Sequence, residues 1–164
     1  MRFLGFAVVT GAAIVLGACG GGDSAPADTA AAAPAAAPAA EAAAAPAAPA
    51  AISGTTHEIK MVGDGQGYRF EPAELTIKAG DGIKFTMISG GPHNVAFDGA
   101  TMAAEAKAAL VANMPEQQGE LSGKMMLNAG ETYTVSFANV PAGTYDYFCT
   151  PHLAMNMKGK ITVQ

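Results

Sequence analysis

The chain has 164 residues, of which 50% are hydrophobic and 14% are charged, and its formal net charge at pH 7 is −5. This acidic balance argues against nucleic acid as a partner and against electrostatic adhesion to an anionic lipid surface. The length would allow one domain, but the composition changes twice along the chain. We therefore predict three segments, at 1–18, 19–54 and 55–164.

The first segment, 1–18, is an apolar leader. Its single charge, Arg2, precedes an apolar run that is too short to span a bilayer and is typical of a secretory signal. The run ends in Leu16-Gly17-Ala18-Cys19, which is similar to the lipobox of bacterial lipoproteins. We therefore expect cleavage before Cys19 and lipidation of its thiol. The alternative is an ordinary signal peptide followed by an unrelated cysteine.

The second segment, 19–54, consists almost wholly of Ala and Pro between Ala25 and Ala51. Repeated prolines remove backbone donors and restrict the residues before them, so a long helix is excluded. We predict a disordered, semi-extended tether. Two or more acyl chains on one residue anchor a domain stably, so we expect a periplasmic or otherwise extracytoplasmic protein, lipid-anchored to a bacterial membrane.

The third segment, 55–164, alternates short β-prone stretches with Gly- and Pro-rich turns, a pattern typical of an antiparallel β-sandwich. We predict an all-β, Greek-key fold of about eight strands. The candidate strands are 56–62, 68–71, 74–79, 82–88, 93–97, 121–127, 131–138, 143–149 and 158–163.

Two local patterns refine this prediction. Apolar residues recur at helical spacing between Thr101 and Asn113, which indicates one short helix. Strand alternation places Tyr145, Tyr147 and Cys149 on one face, so the thiol of Cys149 should enter the core.

The strongest chemical signal is a cluster of soft and borderline metal donors at the end of the chain. Cys149, His152, Met155 and Met157 lie within nine residues, and a second histidine, His93, lies far upstream. A thiolate, two imidazoles and one weak thioether form the donor set of a mononuclear blue-copper electron-transfer site. With Cys19 assigned to lipid and Cys149 to metal, no disulfide is expected.

Other interpretations of these residues are weaker. A lone Cys149 could be a buried apolar side chain, but His152 follows it after a turn stiffened by Pro151. Asn94 is predicted to bridge the two ligand loops and to hydrogen-bond near the thiolate, which would tune it. His57 stands between polar residues on the first strand, and we expect a solvated side chain rather than a ligand.

Residues 57–164 resemble the plastocyanin and pseudoazurin branch of the cupredoxins. The resemblance rests on three stretches: Pro92-His93-Asn94-Val95-Ala96-Phe97-Asp98, Leu127 to Val135, and Gly143 to Val163. It implies a cupredoxin-like β-sandwich holding one copper ion, which cycles between Cu(I) and Cu(II).

The resemblance also bears on the axial ligand. The spacing Cys-x₂-His-x₄-Met of plastocyanins selects Met157, whereas the Cys-x₂-His-x₂-Met of amicyanins selects Met155. In both branches x-Gly-Lys and a strand follow the ligand, and only Met157 meets that condition, through Lys158-Gly159-Lys160. We predict Met157 as the axial ligand and Met155 as a surface thioether.

The predicted function is one-electron transfer by a monomeric, membrane-tethered carrier between redox proteins, such as a cytochrome and a respiratory or reductase complex. A site closed by four protein ligands leaves no position for a small-molecule substrate, so we do not expect an enzyme. An apolar surface around His152 is predicted to dock partners, with Pro92, Pro151, Leu153 and Met155 as its members.

Two rival functions fit the sequence less well. A copper-binding or delivery lipoprotein without redox turnover would need exposed, exchangeable ligands, whereas Cys149 is expected to be buried. A structural zinc site is disfavoured because a thioether is a poor zinc ligand. One departure from the family also matters. Photosynthetic plastocyanins carry Tyr before the ligand Cys and acidic runs nearby, whereas this chain has Phe148 and no such run. A photosynthetic partner is therefore not implied.

Overall fold

A computed structural model describes residues 48–164. The predicted leader, Cys19 and most of the predicted tether lie outside the described residues. The elements in chain order are β1 (Thr56–Asp64), β2 (Gly67–Glu71), β3 (Glu74–Ile77), β4 (Gly82–Met87), β5 (Ala96–Phe97), α1 (Ala104–Asn113), β6 (Thr132–Ser136), β7 (Gly143–Phe148), a 3₁₀ turn (Leu153–Met155) and β8 (Lys158–Val163).

The strands form two four-stranded sheets, with orders β2-β1-β4-β6 and β3-β8-β7-β5. The predicted β-sandwich of about eight strands with one short helix is confirmed. The expectation of purely antiparallel pairing is wrong, because β1 pairs with β4 and β3 pairs with β8 in parallel. Parallel partners need a long connection, and β2 and β3 lie in the connection from β1 to β4.

The predicted strand at 121–127 is wrong in the described structure, where this segment makes only isolated bridges. Leu121 has a φ of 58°, which breaks the extended conformation. A Cβ on Gly123 would lie 2.4 Å from the Tyr133 ring, so the segment runs directly against the core at this residue. The predicted strand at 93–97 is correspondingly reduced to Ala96–Phe97.

The core lies between the sheets, and strand alternation determines which side chains enter it. In β7, Tyr145 and Tyr147 are buried, and Cys149 follows them into the core as predicted. Helix α1 covers one edge with Ala106 and Leu110 buried. The thiol of Cys149 is thereby removed from water.

The two ends of the sandwich differ. Register pairs Thr56 with Gly82 at one end of the β1–β4 pair and Met61 with Met87 at the other. The end beyond Met87 leads to His93, and we call it the metal end. The opposite end, where the described chain begins and enters β1, is called the base.

The base is held by side-chain hydrogen bonds. The Ala50 N–H donates to Asn113 Oδ1 at 3.1 Å, and the Asn113 amide donates to the Ala138 carbonyl at 2.7 Å. His57 Nε2 lies 2.9 Å from Asp81 Oδ2, so the expectation of a merely solvated His57 is wrong.

Asp81 is the most heavily bonded carboxylate of the base. Backbone N–H groups of Lys78 and Thr55 donate to it at 3.0 and 2.8 Å. The Lys78 N–H, His57 and the Thr55 N–H together lower the pKa of Asp81 to about 2. Because this pKa is depressed from 3.8, the contribution of Asp81 to stability is present above pH 3.8 and is lost as the pH falls through about 2.

Candidate metal centre

Three donor side chains converge at the metal end. The Sγ of Cys149 lies 3.5 Å from Nδ1 of His93 and 3.4 Å from Nδ1 of His152, and the two Nδ1 atoms are 3.2 Å apart. All three residues are buried. The structure thus brings together His93, Cys149 and His152 from loops separated by more than fifty residues.

Hydrogen bonds to neighbouring residues orient both the backbone and the side chain of His93. Its backbone forms a bridge with Met126, with N–H···O distances of 3.0 and 2.7 Å in the two directions. Its Nε2 lies 2.8 Å from the Ser89 carbonyl oxygen, which can only accept a hydrogen bond. The proton of the neutral imidazole therefore resides on Nε2, and the lone pair of Nδ1 points toward Cys149.

The loop after β7 folds back on itself and is closed by backbone hydrogen bonds. The His152 N–H donates to the Cys149 carbonyl, the Met157 N–H to the His152 carbonyl, and the Cys149 N–H to the Met157 carbonyl, at 3.2, 3.2 and 3.1 Å. Asn156 reverses the chain in the left-handed region, with φ of 62°. These hydrogen bonds hold the backbones of Cys149 and Met157 next to each other at the two ends of the loop.

The two candidate axial methionines differ sharply in burial. Met157 is 0% exposed, whereas Met155, in the 3₁₀ turn, is 54% exposed. A thioether that ligates a buried metal must itself face the interior, so this contrast favours Met157. It agrees with the expectation that Met155 lies on the surface.

Asn94 links the two ligand loops through its side-chain amide. Its Oδ1 accepts from the Thr150 N–H at 2.8 Å, and its Nδ2 donates to the hydroxyls of Thr150 and Ser122, both at 3.1 Å. Thr150 directly follows Cys149, so this amide holds the cysteine loop against the segment that carries His93. Such a bridge fixes the relative position of ligands that lie on different strands.

The protonation of the site follows from its burial. Desolvation lowers the pKa of His93, and desolvation together with repulsion from a charged His93 lowers the pKa of His152, so burial favours the neutral form of both imidazoles. Burial raises the pKa of the Cys149 thiol, while the backbone N–H groups of Asn94 and His152 oppose the rise. A bound cation would displace the thiol proton, which couples metal affinity to pH. A buried thiolate with two neutral imidazoles and a thioether fits copper well.

Sequence reasoning missed one aromatic side chain beside the site. The Tyr68 ring stacks on the His152 ring with centroids 3.8 Å apart and planes inclined by 13°. His152 is consequently only 5% exposed. The weak signal available in the sequence was the Gly-rich hairpin Gly63-Asp64-Gly65-Gln66-Gly67, which precedes Tyr68 and leaves room for a large ring.

The metal end also carries exposed apolar side chains. The predicted docking residues Pro92, Pro151, Leu153 and Met155 are all exposed. Ile88 and Leu127, which the sequence analysis did not single out, are exposed at the same end. Within residues 48–164, the exposed large hydrophobic side chains are Ile88, Leu127, Leu153 and Met155.

Comparison with known proteins agrees with this geometry. A sequence model described as copper binding proteins of the plastocyanin/azurin family matches residues 57–164. The chain belongs to this family. The family assignment and the cluster of His93, Cys149 and His152 together identify copper as the cofactor.

Individual plastocyanins align with most of the folded part. The chloroplastic plastocyanin of Tetradesmus obliquus is 40% identical over 115 residues, which cover 70% of this chain and 71% of that protein. The plastocyanin of Nostoc punctiforme is 37% identical over 118 residues, covering 68% of this chain and 76% of that protein. The oxidised plastocyanin of the fern Dryopteris crassirhizoma superimposes with a TM-score of 0.52 at 29% identity, covering 65% of this chain and 99% of that chain.

Proposed function

We propose that this cupredoxin is a type 1 blue copper protein that carries single electrons between redox proteins while tethered to a bacterial membrane. The observation that carries the proposal is the convergence of one thiol and two imidazole nitrogens in a buried site. The site chemistry is that of electron transfer, because a soft thiolate and two imidazoles accommodate both oxidation states of copper.

Each residue of the site has a role in this proposal. His93, Cys149 and His152 would bind copper through Nδ1, Sγ and Nδ1, and Met157 would supply the axial thioether. The bound metal supplies the one-electron redox chemistry. The protein excludes water, orients His93 through the Ser89 carbonyl and holds the two ligand loops together through Asn94. A preformed site of this kind keeps the rearrangement between oxidation states small.

We propose that the protein is not an enzyme, since four protein ligands would leave no position for a substrate. Copper delivery without redox turnover is the alternative, and the burial of Cys149, His152 and Met157 argues against easy exchange of the metal. Voltammetry of the copper-loaded protein tests the choice. We expect a reversible one-electron wave with copper retained over repeated cycles. Loss of copper to a chelator on each reduction would instead support delivery.

Replacement of the axial ligand should change the reduction potential. Met157→Leu removes a donor that stabilises Cu(II), so the potential should rise on the order of tens of millivolts. Met155→Leu is the matched control, and its potential and paramagnetic spectrum should equal those of the parent protein. Voltammetry and electron paramagnetic resonance measure both variants. A shift confined to Met155→Leu would make Met155 the ligand.

Partner docking is proposed at the apolar surface of the metal end, formed by Pro92, Pro151, Leu153 and Met155. Weak redox encounters need only a small contact. Leu153→Arg would place an unpaired charge in that contact and should slow electron transfer to the native partner at least about tenfold at every salt concentration. Thr144→Arg, an exposed position on β7, adds the same charge elsewhere and serves as control. Stopped-flow kinetics in which Leu153→Arg behaves like Thr144→Arg would move the docking surface elsewhere.

The location of the protein is proposed from the part of the sequence before residue 48. Within residues 48–164, no helix has the length and apolar character needed to cross a bilayer. We propose export by the leader, lipidation at Cys19 and attachment of a monomeric domain to the extracytoplasmic side of a bacterial membrane. The similarity of Leu16-Gly17-Ala18-Cys19 to a lipobox supports this proposal.

A further inference from the structure

The stacked contact between Tyr68 and His152 joins two distant parts of the sandwich. Tyr68 lies on β2, the edge strand of one sheet, whereas His152 lies in the loop between β7 and β8 of the other. The near-parallel rings at 3.8 Å are in full van der Waals contact. Tyr68 also meets the His93 ring edge-on, with centroids 6.1 Å apart and planes inclined by 66°.

The backbone is shaped to receive the Tyr68 ring. Gly63 is the cross-strand partner of Tyr68, and a Cβ at Gly63 would lie 2.7 Å from the tyrosine ring and 2.8 Å from the Gly90 backbone. Gly63 is also bonded to Ser89, whose carbonyl orients His93. A glycine opposite an aromatic residue on an edge strand lets the ring lie flat across the neighbouring strand. Tyr68 therefore rests on a surface that is itself tied to the metal site.

The strand that carries Tyr68 is clamped by ion pairs. Arg69 lies 2.9 Å from Asp64, the last residue of β1, and 2.6 Å from Glu71, the last residue of β2, so the guanidinium ties β2 to the adjoining end of β1. The Asp64 carboxylate also accepts the Gln66 N–H at 2.8 Å, which closes the hairpin. These contacts limit the movement of an edge strand that has a neighbour on one side only.

We propose that Tyr68 is a positioning residue that fixes the plane of the His152 imidazole, so that Nδ1 faces Cys149 before the metal binds and stays there when its oxidation state changes. This inference rests on the proposed blue-copper function. Rotation about the Cβ–Cγ bond out of this plane would move Nδ1 off Cys149 and would also break the stack against Tyr68. A half-turn flip restores the plane, but it must pass through such unstacked orientations. The contact is made by the ring face, so the hydroxyl group is not required.

The test compares Tyr68→Phe, which keeps a ring, with Tyr68→Leu, which removes it, and with Tyr68→Val as a second ring-free variant suited to a strand. Leu75→Ala is the structural control, because Leu75 is also partly buried against the core but lies on β3. Two measurements are made on each variant. Nuclear magnetic resonance of the metal-free protein reports the ring-proton shifts and orientation of His152, and the copper protein gives the rate of electron self-exchange.

We expect Tyr68→Phe to match the parent protein in both measurements. Tyr68→Leu and Tyr68→Val should lose the ring-current shift of His152, and the ratio of aligned to rotated imidazole should fall about two- to tenfold, the range expected for one aromatic contact. Their self-exchange should slow by at least about twofold. Leu75→Ala should change neither quantity.

Two results would overturn the proposal. One is an unchanged imidazole orientation and self-exchange rate in the ring-free variants. The other is that Leu75→Ala reproduces their changes, which would reduce Tyr68 to a general contribution to stability. A parent protein that binds copper without becoming blue would instead contradict the proposed function. The metal-free resonance data would still decide the role of Tyr68.

Discussion

Cys149→Ser is expected to abolish essentially all of the visible absorption of the copper-loaded protein. The intense blue colour of such a site arises from charge transfer between a thiolate sulfur and Cu(II), and it requires a short bond between them. A serine hydroxyl is a harder donor that stays protonated at neutral pH, so it cannot replace the thiolate. Cys149 is buried, and its Sγ lies close to both Nδ1 atoms. Within residues 48–164 it is the only cysteine, so no other thiol there can take its place.

The experiment measures visible absorption and bound copper on the oxidised full-length protein, in parallel for the parent, Cys149→Ser and Cys19→Ser. The parent and Cys19→Ser proteins should be blue when oxidised and colourless when reduced. Cys149→Ser should be colourless in both states, even where the two histidines retain some copper. An intensely blue Cys149→Ser protein would refute the assignment of the thiolate ligand.

Cys19→Ser is expected to move the protein out of the membrane fraction or to leave it as the uncleaved precursor. Lipidation needs the thiol, and two or more acyl chains hold a domain to a bilayer far more strongly than one. With a net charge of −5, the chain has little electrostatic attraction for anionic lipid that could replace the anchor.

Fractionation of bacterial cells followed by mass analysis of the mature amino terminus measures this effect. Cys149→Ser is the matched control, because it exchanges the same atoms at the other cysteine and should remain lipidated and membrane-bound. The two variants should therefore differ in phenotype: Cys149→Ser should lose only the colour, and Cys19→Ser should lose only processing or membrane attachment. A Cys19→Ser protein that is processed and membrane-bound as before would exclude the lipobox interpretation.

Three of the donor residues that the sequence singled out lie together in the structure, whereas one predicted strand, 121–127, is absent and another, 93–97, is shorter. His93, Cys149 and His152 could be found because their donor types are rare and their spacing within one loop is short. Met157 could be separated from Met155 only by the resemblance to plastocyanins, and the structure then distinguishes them by burial. The face of β7 that buries Cys149 followed from simple alternation.

Contacts between distant segments could not be predicted in this way. The stack of Tyr68 on His152 depends on the register of β2 against β1 and on the packing of two sheets, and neither leaves a local pattern. The pairing of His57 with Asp81 likewise depends on the parallel alignment of β1 and β4. The irregular segment at 121–127 has the composition of a strand, but in the structure it makes only isolated bridges.

The hydrogen bond from Ala50 to Asn113 fixes where the chain leaves the folded domain, at the base and away from the copper ligands. If Cys19 carries the lipid, 28 residues separate it from Ala48, and a fully extended chain of that length reaches about 90 Å. If the tether were fully extended, the metal end of the domain would point away from the membrane that holds the lipid, toward a diffusing carrier or a complex in an opposing membrane. A partner embedded in the same membrane could be reached only if the domain reversed its orientation, which requires a tether that is not fully extended. Shortening the Ala/Pro-rich tether should therefore affect electron transfer differently for partners in the same membrane and for partners elsewhere. The contacts at the metal end should stay unchanged.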